Sequence, residues 1–310
     1  MPRRFFGFLI VLIAALACSH DDTASAHPRN VPSSPDGVVP PRPSVIAPSS
    51  QPYRVVPVAA GGAITGTVDF EGAIPVAVIR PTSDQKVCGN SIVEKNVALA
   101  GTRVGGAVVW LTDIRSGKAF PLERRYELMN DGCTLDPYVQ AISTNGTLNV
   151  SNDDRTLHTN RFINVGTGQL AGIAPFNDNG EVVPLDKFRE PAEIEVVCEQ
   201  HPWTHAWIAV LDHPYFAQTS ASGTFSIDGI PAGRYRLRAW HPALGFSDDS
   251  VTVNAGQQTS VAFRIRPTRA AVPAVPTQPT PESVRPAASS TPTLPILPTA
   301  SSTSANPPPR

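Results

Sequence analysis

A cysteine and two histidines of this sequence have the residue types and the spacing of metal ligands. The chain reads Cys-Glu-Gln-His-Pro-Trp-Thr-His from Cys198 to His205, directly after the alternating run Glu193–Val197. Alternation predicts a half-buried strand, and the proline at position 202 predicts its end. A cysteine at a strand end and His201 in the following turn can direct sulfur and nitrogen at one point. Together with a distant histidine they make the ligand set of a trigonal His₂Cys copper site.

His158 is the distant histidine that we predict as the third ligand. It ends the segment Asn152–His158, which follows the alternating run Gly146–Val150. His205 is predicted either as a fourth ligand or as a surface histidine. A Cys-x-x-His pair also occurs in zinc sites, and a thiolate with two or three imidazoles suits both metals. The predicted cofactor is therefore copper, with zinc as the alternative.

The elements that must position these ligands are predicted to be β-strands. Between residues 62 and 266, short runs rich in Val, Ile, Thr and aromatic residues are interrupted about every ten residues by Gly, Asn, Asp or Pro. No long stretch repeats apolar residues at helical spacing. The predicted fold class is all-β, with two β-sandwiches.

The first residues predict export. The apolar run Phe5–Ala17 follows two arginines, is too short to span a bilayer and has the length of a signal-peptide core, so residues 1–26 are predicted as a signal peptide. Two cleavage sites compete: Ala15–Cys18 reads as a lipobox in which Cys18 is acylated, and Ala24–Ala26 reads as an ordinary site. We expect a protein of the periplasm or outer cell envelope, anchored to the membrane by lipid where Cys18 is acylated.

Three cysteines remain after the signal region, which is an odd number for an oxidising compartment. Cys88 and Cys133 both lie in polar loop sequence and are predicted as the disulfide pair. Cys198, beside a histidine, is predicted as the metal thiolate. Its alternatives are a buried core cysteine or half of a disulfide.

Charge and proline content bound the rest of the chain. The formal net charge is −1, so we expect no nucleic acid partner. Residues 27–61 and 267–310 are rich in Pro with Ser, Val, Thr or Ala, and we predict a disordered linker and a disordered tail there.

One segment resembles the carboxypeptidase regulatory-like module, a small transthyretin-like β-sandwich. The pattern Thr-x-x-x-Gly-x-Phe followed by Pro-x-Gly-x-Tyr runs from Thr219 to Tyr235, and the resemblance extends to Ile265. Ile64–Gly72 and Gly106–Leu111 resemble the first two strands of that module. The resemblance implies that residues 62–115 and 213–266 form one sandwich.

The intervening residues 116–212 are predicted as an inserted cupredoxin-like domain, with a tandem order of the two domains as the alternative. Together with Cys88-Gly89, they resemble exported bacterial proteins with plastocyanin-like domains. The shared features in chain order are Cys88-Gly89, Cys133 before Asp136-Pro137, Asp154 to His158, Phe176-Asn177, Cys198 to Trp203 and His213 to Phe216.

This second resemblance implies a mononuclear copper site with His158, Cys198 and His201 as in-plane ligands. It also implies that His201 is the exposed edge at which a redox partner docks. The sequence departs from the group at Thr204, where methionine commonly follows the Pro-Trp pair. Asp153 and Asp154 are expected either as solvated turn residues or as groups that orient His158.

The expected function is copper binding, for single-electron transfer with a redox partner protein or for holding copper. The alternative is a metal-free module of the cell envelope that contacts carbohydrate or protein. An enzyme is not expected, because the sequence has no Ser/His/Asp signature, no His-Glu-x-x-His motif and no second histidine-rich set.

Overall fold

The computed structural model describes residues 44–47, 50–74, 78–94 and 96–266. The predicted signal peptide with Cys18, the first part of the linker and the tail lie outside these residues. The described part is all-β, as predicted, with 22 strands and one helix, Gln85–Cys88 (α1). No helix in this part of the chain has the length and hydrophobicity needed to cross a membrane.

The strands are short and follow one another closely. Up to the first ligand histidine they are Arg54–Val55 (β1), Gly62–Phe70 (β2), Val78–Ile79 (β3), Ile92–Val93 (β4), Ala98–Ala100 (β5), Arg103–Gly105 (β6), Val108–Leu111 (β7), Ser116–Gly117 (β8), Arg125–Asp131 (β9), Thr134–Asp136 (β10), Val139–Ser143 (β11) and Thr147–Asn152 (β12). From that histidine onward they are His158–Asn164 (β13), Leu170–Phe176 (β14), Val182–Leu185 (β15), Ala192–Cys198 (β16), His205–Leu211 (β17), Phe216–Gln218 (β18), Thr224–Ile230 (β19), Gly233–His241 (β20), Gly245–Val253 (β21) and Gln258–Ile265 (β22).

The candidate ligands belong to a sandwich of two sheets, which we call the site sandwich. One sheet has the strand order β11-β17-β16-β13-β14, and the other has the order β10-β9-β12-β15. Their inner faces share a core of apolar residues that mostly alternate along each strand, as half-buried strands require, while buried Asn130, Asn152, His158 and Asn160 occupy inward positions near the site. The fully buried members of this core include Leu128, Ile142, Leu148, Val150, Phe162, Val196 and Ile208.

A second sandwich, which we call the flanking sandwich, is built from strands before and after the site sandwich in the chain. One of its sheets has the order β18-β7-β20-β21, and the other has β19-β2-β6-β5 with β22 paired to β2. The β2–β22 pairing is parallel and joins Ala63–Phe70 to Gln258–Ile265. The site sandwich thus interrupts the strands of the flanking sandwich in sequence.

A third apolar cluster joins the two sandwiches. Successive side chains of a strand point to opposite faces, so β7 places Val109 and Leu111 in the flanking core and Val108 and Trp110 in the third cluster. Strand β17 does the same, with Trp207 and its alternate neighbours in the third cluster. Both strands are therefore buried on both faces, which explains why they read as continuous apolar runs.

Part of the predicted disordered linker, residues 27–61, is ordered instead. Ile46 is only 5% exposed and belongs to the third cluster, and the backbone N–H of Val45 donates to Glu193 at 2.9 Å. Strand β1 pairs in parallel with β8. A proline-rich composition does not reveal that Val45 and Ile46 pack into the apolar cluster between the two sandwiches.

Candidate metal centre

Three of the four predicted ligands converge on one point. The Nδ1 atoms of His158 and His201 are 3.2 Å apart, and the sulfur of Cys198 is 3.4 Å from the first and 3.6 Å from the second. The centre of such a triangle lies about 2.0 Å from each corner, close to the metal–nitrogen and metal–sulfur lengths of about 2.0–2.3 Å. All three side chains are buried. The donor set therefore fits a single trigonally bound transition-metal ion.

Strand pairing places two of these ligands at the same end of one sheet. Asn160 of β13 is paired with Cys198 of β16, so His158, the first residue of β13, lies beside the last residue of β16. The N–H of Glu199 donates to the carbonyl of Thr159 at 3.0 Å, which extends this pairing past the cysteine. The sheet core thus fixes the spacing of His158 and Cys198.

The third ligand lies in the closed turn between β16 and β17. The N–H of Thr204 donates to the carbonyl of His201 at 2.8 Å, and the N–H of Cys198 donates to the carbonyl of Thr204 at 3.3 Å. These bonds hold His201 against the cysteine that precedes it by three residues.

A carboxylate holds the far ring nitrogen of each histidine. The Nε2 of His158 is 3.0 Å from Asp154, and the Nε2 of His201 is 3.2 Å from Asp84. An Nε2–H that donates to a carboxylate leaves the Nδ1 lone pair directed at the centre of the triangle. Outer carboxylates of this kind fix the tautomer and orientation of metal-ligating histidines. The expectation that one of the acids before His158 orients it therefore applies to Asp154, whereas Asp153 is exposed.

Asp154 is itself held in place by backbone donors. The N–H groups of Gly132 and Cys133 donate to it at 2.8 and 2.9 Å. Burial alone would raise the pKa of this carboxyl, but the hydrogen bonds from His158 and from the two backbone N–H groups outweigh it and lower the pKa. The group is thus a carboxylate that can accept from His158.

The sulfur and the nearest imidazole form a charged pair in the metal-free protein. Burial raises the pKa of Cys198, but hydrogen bonds from His158 and His201 outweigh it and lower the pKa to about 6. Burial lowers the pKa of His158, but its bonds to Asp154 and Cys198 raise it to about 9. Near neutral pH the sulfur is therefore a thiolate, which is the form that binds metals.

The predicted disulfide between Cys88 and Cys133 is present and lies against this centre. Both of its sulfur atoms lie within 4.8 Å of a ring nitrogen of His201. The carbonyl of Cys133 accepts a 2.6 Å hydrogen bond from the hydroxyl of Thr204, the residue at the position where methionine commonly occurs in the plastocyanin-like group. Thr204 therefore ties the ligand turn to the disulfide.

His205 agrees with the second of its two predictions, because it is a partly exposed histidine outside the converging group, and the expectation for His201 is wrong. His205 does not join the converging group: its ring nitrogens lie 2.9 Å from the carbonyl of Pro202 and 3.6 Å from the carboxylate of Glu195. As the first residue of β17 it lies opposite Val197 of β16, and its ring faces Pro202 and Glu195 instead of the ligand triangle. His201 is fully buried and is not an exposed edge.

Sequence reasoning did not identify Asp84 as a partner of the site. It lies 117 residues before His201, and no spacing pattern connects residues so far apart. The signal that was available is indirect, because Asp84 stands four residues before Cys88, and a disulfide to the loop at Cys133 brings that whole segment to the site.

Residues 190–261 match the protein family described as "Polysaccharide lyase family 4, domain II". This match runs from β16 into β22 and covers most of the segment 219–265. It is therefore to a different family from the carboxypeptidase regulatory-like module that this segment resembles. None of the curated proteins matches the chain.

Two of the solved structures that match this chain are a copper-containing nitrite reductase and a cupredoxin. A Cu-containing nitrite reductase from Thermus scotoductus matches over 32% of this chain and 25% of its own, with 21% identity and a TM-score of 0.26. A purple cupredoxin from Nitrosopumilus maritimus matches over 27% of this chain and 98% of its own, with 19% identity and a TM-score of 0.24. The chain thus spans about a quarter of the nitrite reductase, and no functional conclusion follows from similarity at this level.

Proposed function

We propose that this protein binds one copper ion through His158, Cys198 and His201 and serves in single-electron transfer or in holding copper. The observation that carries the proposal is the buried triangle of two imidazole nitrogens and one sulfur with sides of 3.2–3.6 Å. A soft thiolate with two imidazoles is the donor set of trigonal copper sites.

The residues around the triangle suit a centre that changes little between metal oxidation states. His158 and Cys198 stand on paired strands, and Asp154 and Asp84 hold the histidine rings from behind. Ligands fixed in this way rearrange little when charge changes. A copper ion held there would supply a one-electron couple, whereas a zinc ion on the same ligands would not.

The location and partners are part of the same proposal. The signal-peptide pattern at residues 1–26 supports export to the periplasm or cell envelope, with a lipid anchor where Cys18 is acylated. A redox protein of that compartment would be the electron partner. No catalytic role is proposed.

The test is a titration of metal-free protein with Cu(II), followed by its optical spectrum. We expect a thiolate-to-copper absorption that saturates at one equivalent. The variant Cys198→Ser should lose the band, whereas the matched variant His205→Ala should keep it, because His205 is bonded outside the triangle. A wild-type protein without this band would overturn the proposal, and equal saturation by zinc with no coloured copper form would favour a zinc site.

A second candidate function is a metal-free binding module of the cell envelope. The match of residues 190–261 to a domain of polysaccharide lyases favours it, since that family acts on carbohydrate. It predicts that the protein binds envelope polysaccharide in pull-down assays equally well before and after Cys198→Ser. Binding that requires the loaded metal centre, or none at all, would count against it.

A further inference from the structure

His201 is covered by a segment that belongs to neither sandwich. We call residues 81–89 the arm; it contains α1 and the residues on either side of it. Asp84 of the arm accepts from the Nε2 of His201, and Ser83 donates to the carbonyl of Gln200 at 3.5 Å. His201 is 0% exposed while the carboxylate above it is 43% exposed. The arm is therefore a thin layer between the centre and solvent.

The arm has few anchors of its own. The flanking strands β3 and β4 are two residues long and pair only with each other, outside both sandwiches. Within the arm only Pro81 and Cys88 are buried, and the four residues from Asp84 to Val87 are exposed. Segments with few buried contacts open locally at low free energy unless something ties them down.

The disulfide is the tie. Cys88 is the last residue of α1, and Cys133 is firmly bound to the site sandwich: its N–H donates to Asp154 and its carbonyl accepts from Thr204. One end of the bond is thus fixed to the groups that orient His158 and the ligand turn. The other end holds the arm, and with it Asp84, over His201.

We propose that the Cys88–Cys133 disulfide is a latch that controls access to the thiolate–imidazole centre. While it is closed, the arm keeps Asp84 on His201, the ligand whose Nδ1 lies 3.6 Å from the sulfur of Cys198. A dithiol reductant opens it by thiol–disulfide exchange: the S–S bond breaks, two electrons and two protons pass to Cys88 and Cys133 as thiols, and the reductant becomes a disulfide. The arm then leaves His201, and metal and reagents reach the centre.

The latch accounts for a contradiction within the site. A centre that exchanges electrons or metal with a partner needs an approachable ligand, yet all three ligands are buried. Opening the core would cost much of the stability of the fold, whereas opening the arm leaves both sandwich cores intact. The partner that this predicts is an exported protein or small molecule with a reactive dithiol. The inference rests on the proposed function for the identity of the ion, but its main test does not.

That test measures the reaction of the Cys198 thiol with iodoacetamide in metal-free, full-length protein, read by mass spectrometry of the peptide that contains Cys198. The oxidised wild type is compared with the double variant Cys88→Ser/Cys133→Ser at 0 to 1 M urea. We expect the variant to react at least tenfold faster, at a rate that hardly changes with urea, because a local opening exposes little surface. An equal rate in both proteins would overturn the proposal, and so would a variant rate that climbs steeply with urea, which reports global unfolding.

The variant must show a cooperative urea transition for the rates to be interpreted. If the variant shows no such transition, wild-type protein reduced with dithiothreitol takes its place. The rate of Cys198 alkylation in the reduced protein is then compared with the rate in the oxidised protein. Loss of the transition there as well would overturn the latch, because the disulfide would then be holding the fold and not the arm.

A second measurement uses the copper-loaded protein. If copper gives the thiolate absorption, the double variant should lose it to excess EDTA at least tenfold faster than wild type. If no protein shows the absorption, the proposed function fails, and the iodoacetamide rates still decide whether the latch exists.

Discussion

Replacing Asp154 by Asn isolates the role of the carboxylate behind His158. The substitution keeps the shape of the side chain and removes its charge. Asp154 accepts three hydrogen bonds, from Gly132, Cys133 and His158, with one oxygen shared by the last two. An asparagine has one oxygen and one NH₂ group, so in either orientation an N–H that was bonded to the carboxylate faces another donor.

The magnitude follows from which donor loses its acceptor. If the amide oxygen faces Gly132, the NH₂ group faces His158. His158 can then accept from it only with its proton on Nδ1, so the free lone pair is on Nε2 and points away from the metal. If the oxygen faces His158, the tautomer survives but the charge that stabilises it is gone. We expect the affinity for metal to fall about 10–100-fold, the usual effect of removing such a partner, which corresponds to about 1.4–2.8 kcal/mol.

The assay is a competition between the protein and a chelator of known affinity, with Asp153→Asn as the matched control. Asp153 is the adjacent acid and is exposed, so the control changes the same net charge without touching the site. Affinity in Asp154→Asn within twofold of the control would refute the reasoning. It would mean that the backbone alone holds His158 in the binding tautomer.

The remaining predictions concern stability. In the metal-free protein, His158 has a raised pKa of about 9, so its contribution to the free energy of unfolding is fully present below about pH 6.5 and is lost as the pH rises through 9. Cys198 has a lowered pKa of about 6, so its contribution to the same free energy is fully present above about pH 9 and is lost as the pH falls through 6. Between about pH 6.5 and 9 the two effects have opposite signs, so the free energy of unfolding of the wild type, measured by urea titration at several pH values, should hardly change. In Cys198→Ser it should fall with rising pH, by at most about 1.4 kcal/mol per pH unit. A wild-type slope as steep as that of the variant would contradict the paired charges. In Thr204→Val the buried carbonyl of Cys133 loses its 2.6 Å donor, so urea denaturation should show a loss of about 1–3 kcal/mol, and an unchanged midpoint would show that the bond contributes nothing.

The all-β fold was predictable because the strands carry period-two patterns and turn residues. The stacking of the two sandwiches was not, since the continuous apolar runs of β7 and β17 show burial on both faces without showing which sheet covers the second face. For the same reason the role of Ile46 was missed. A single apolar residue in proline-rich sequence carries no periodicity, and only the gap that it fills explains its burial.

The ligand triangle was predictable from local chemistry. Cys198 and His201 are close in sequence, and the strand pattern before each ligand segment placed His158 near a strand end. His205 was the harder case, because a histidine seven residues after the cysteine lies beyond the turn, and its direction depends on the register of β17 against β16. Asp84 was out of reach, since its approach to His201 depends on the path of a segment that joins neither sandwich.

The ligands of this centre are held by two kinds of element, a rigid sheet and a loosely attached arm. His158 and Cys198 are placed by a sheet that is packed on both faces, against the site core and against the third cluster, so their spacing exists before any metal arrives. His201 depends on a short turn, and its cover depends on an arm whose tie to the sandwich is a disulfide. The rigid pair of ligands sets the geometry of the centre. The cover over the third ligand sets how easily metal and reagents reach it. Because these two properties reside in different elements, loss of the Cys88–Cys133 disulfide should change how fast the centre is reached without changing the strand pairing that places His158 beside Cys198.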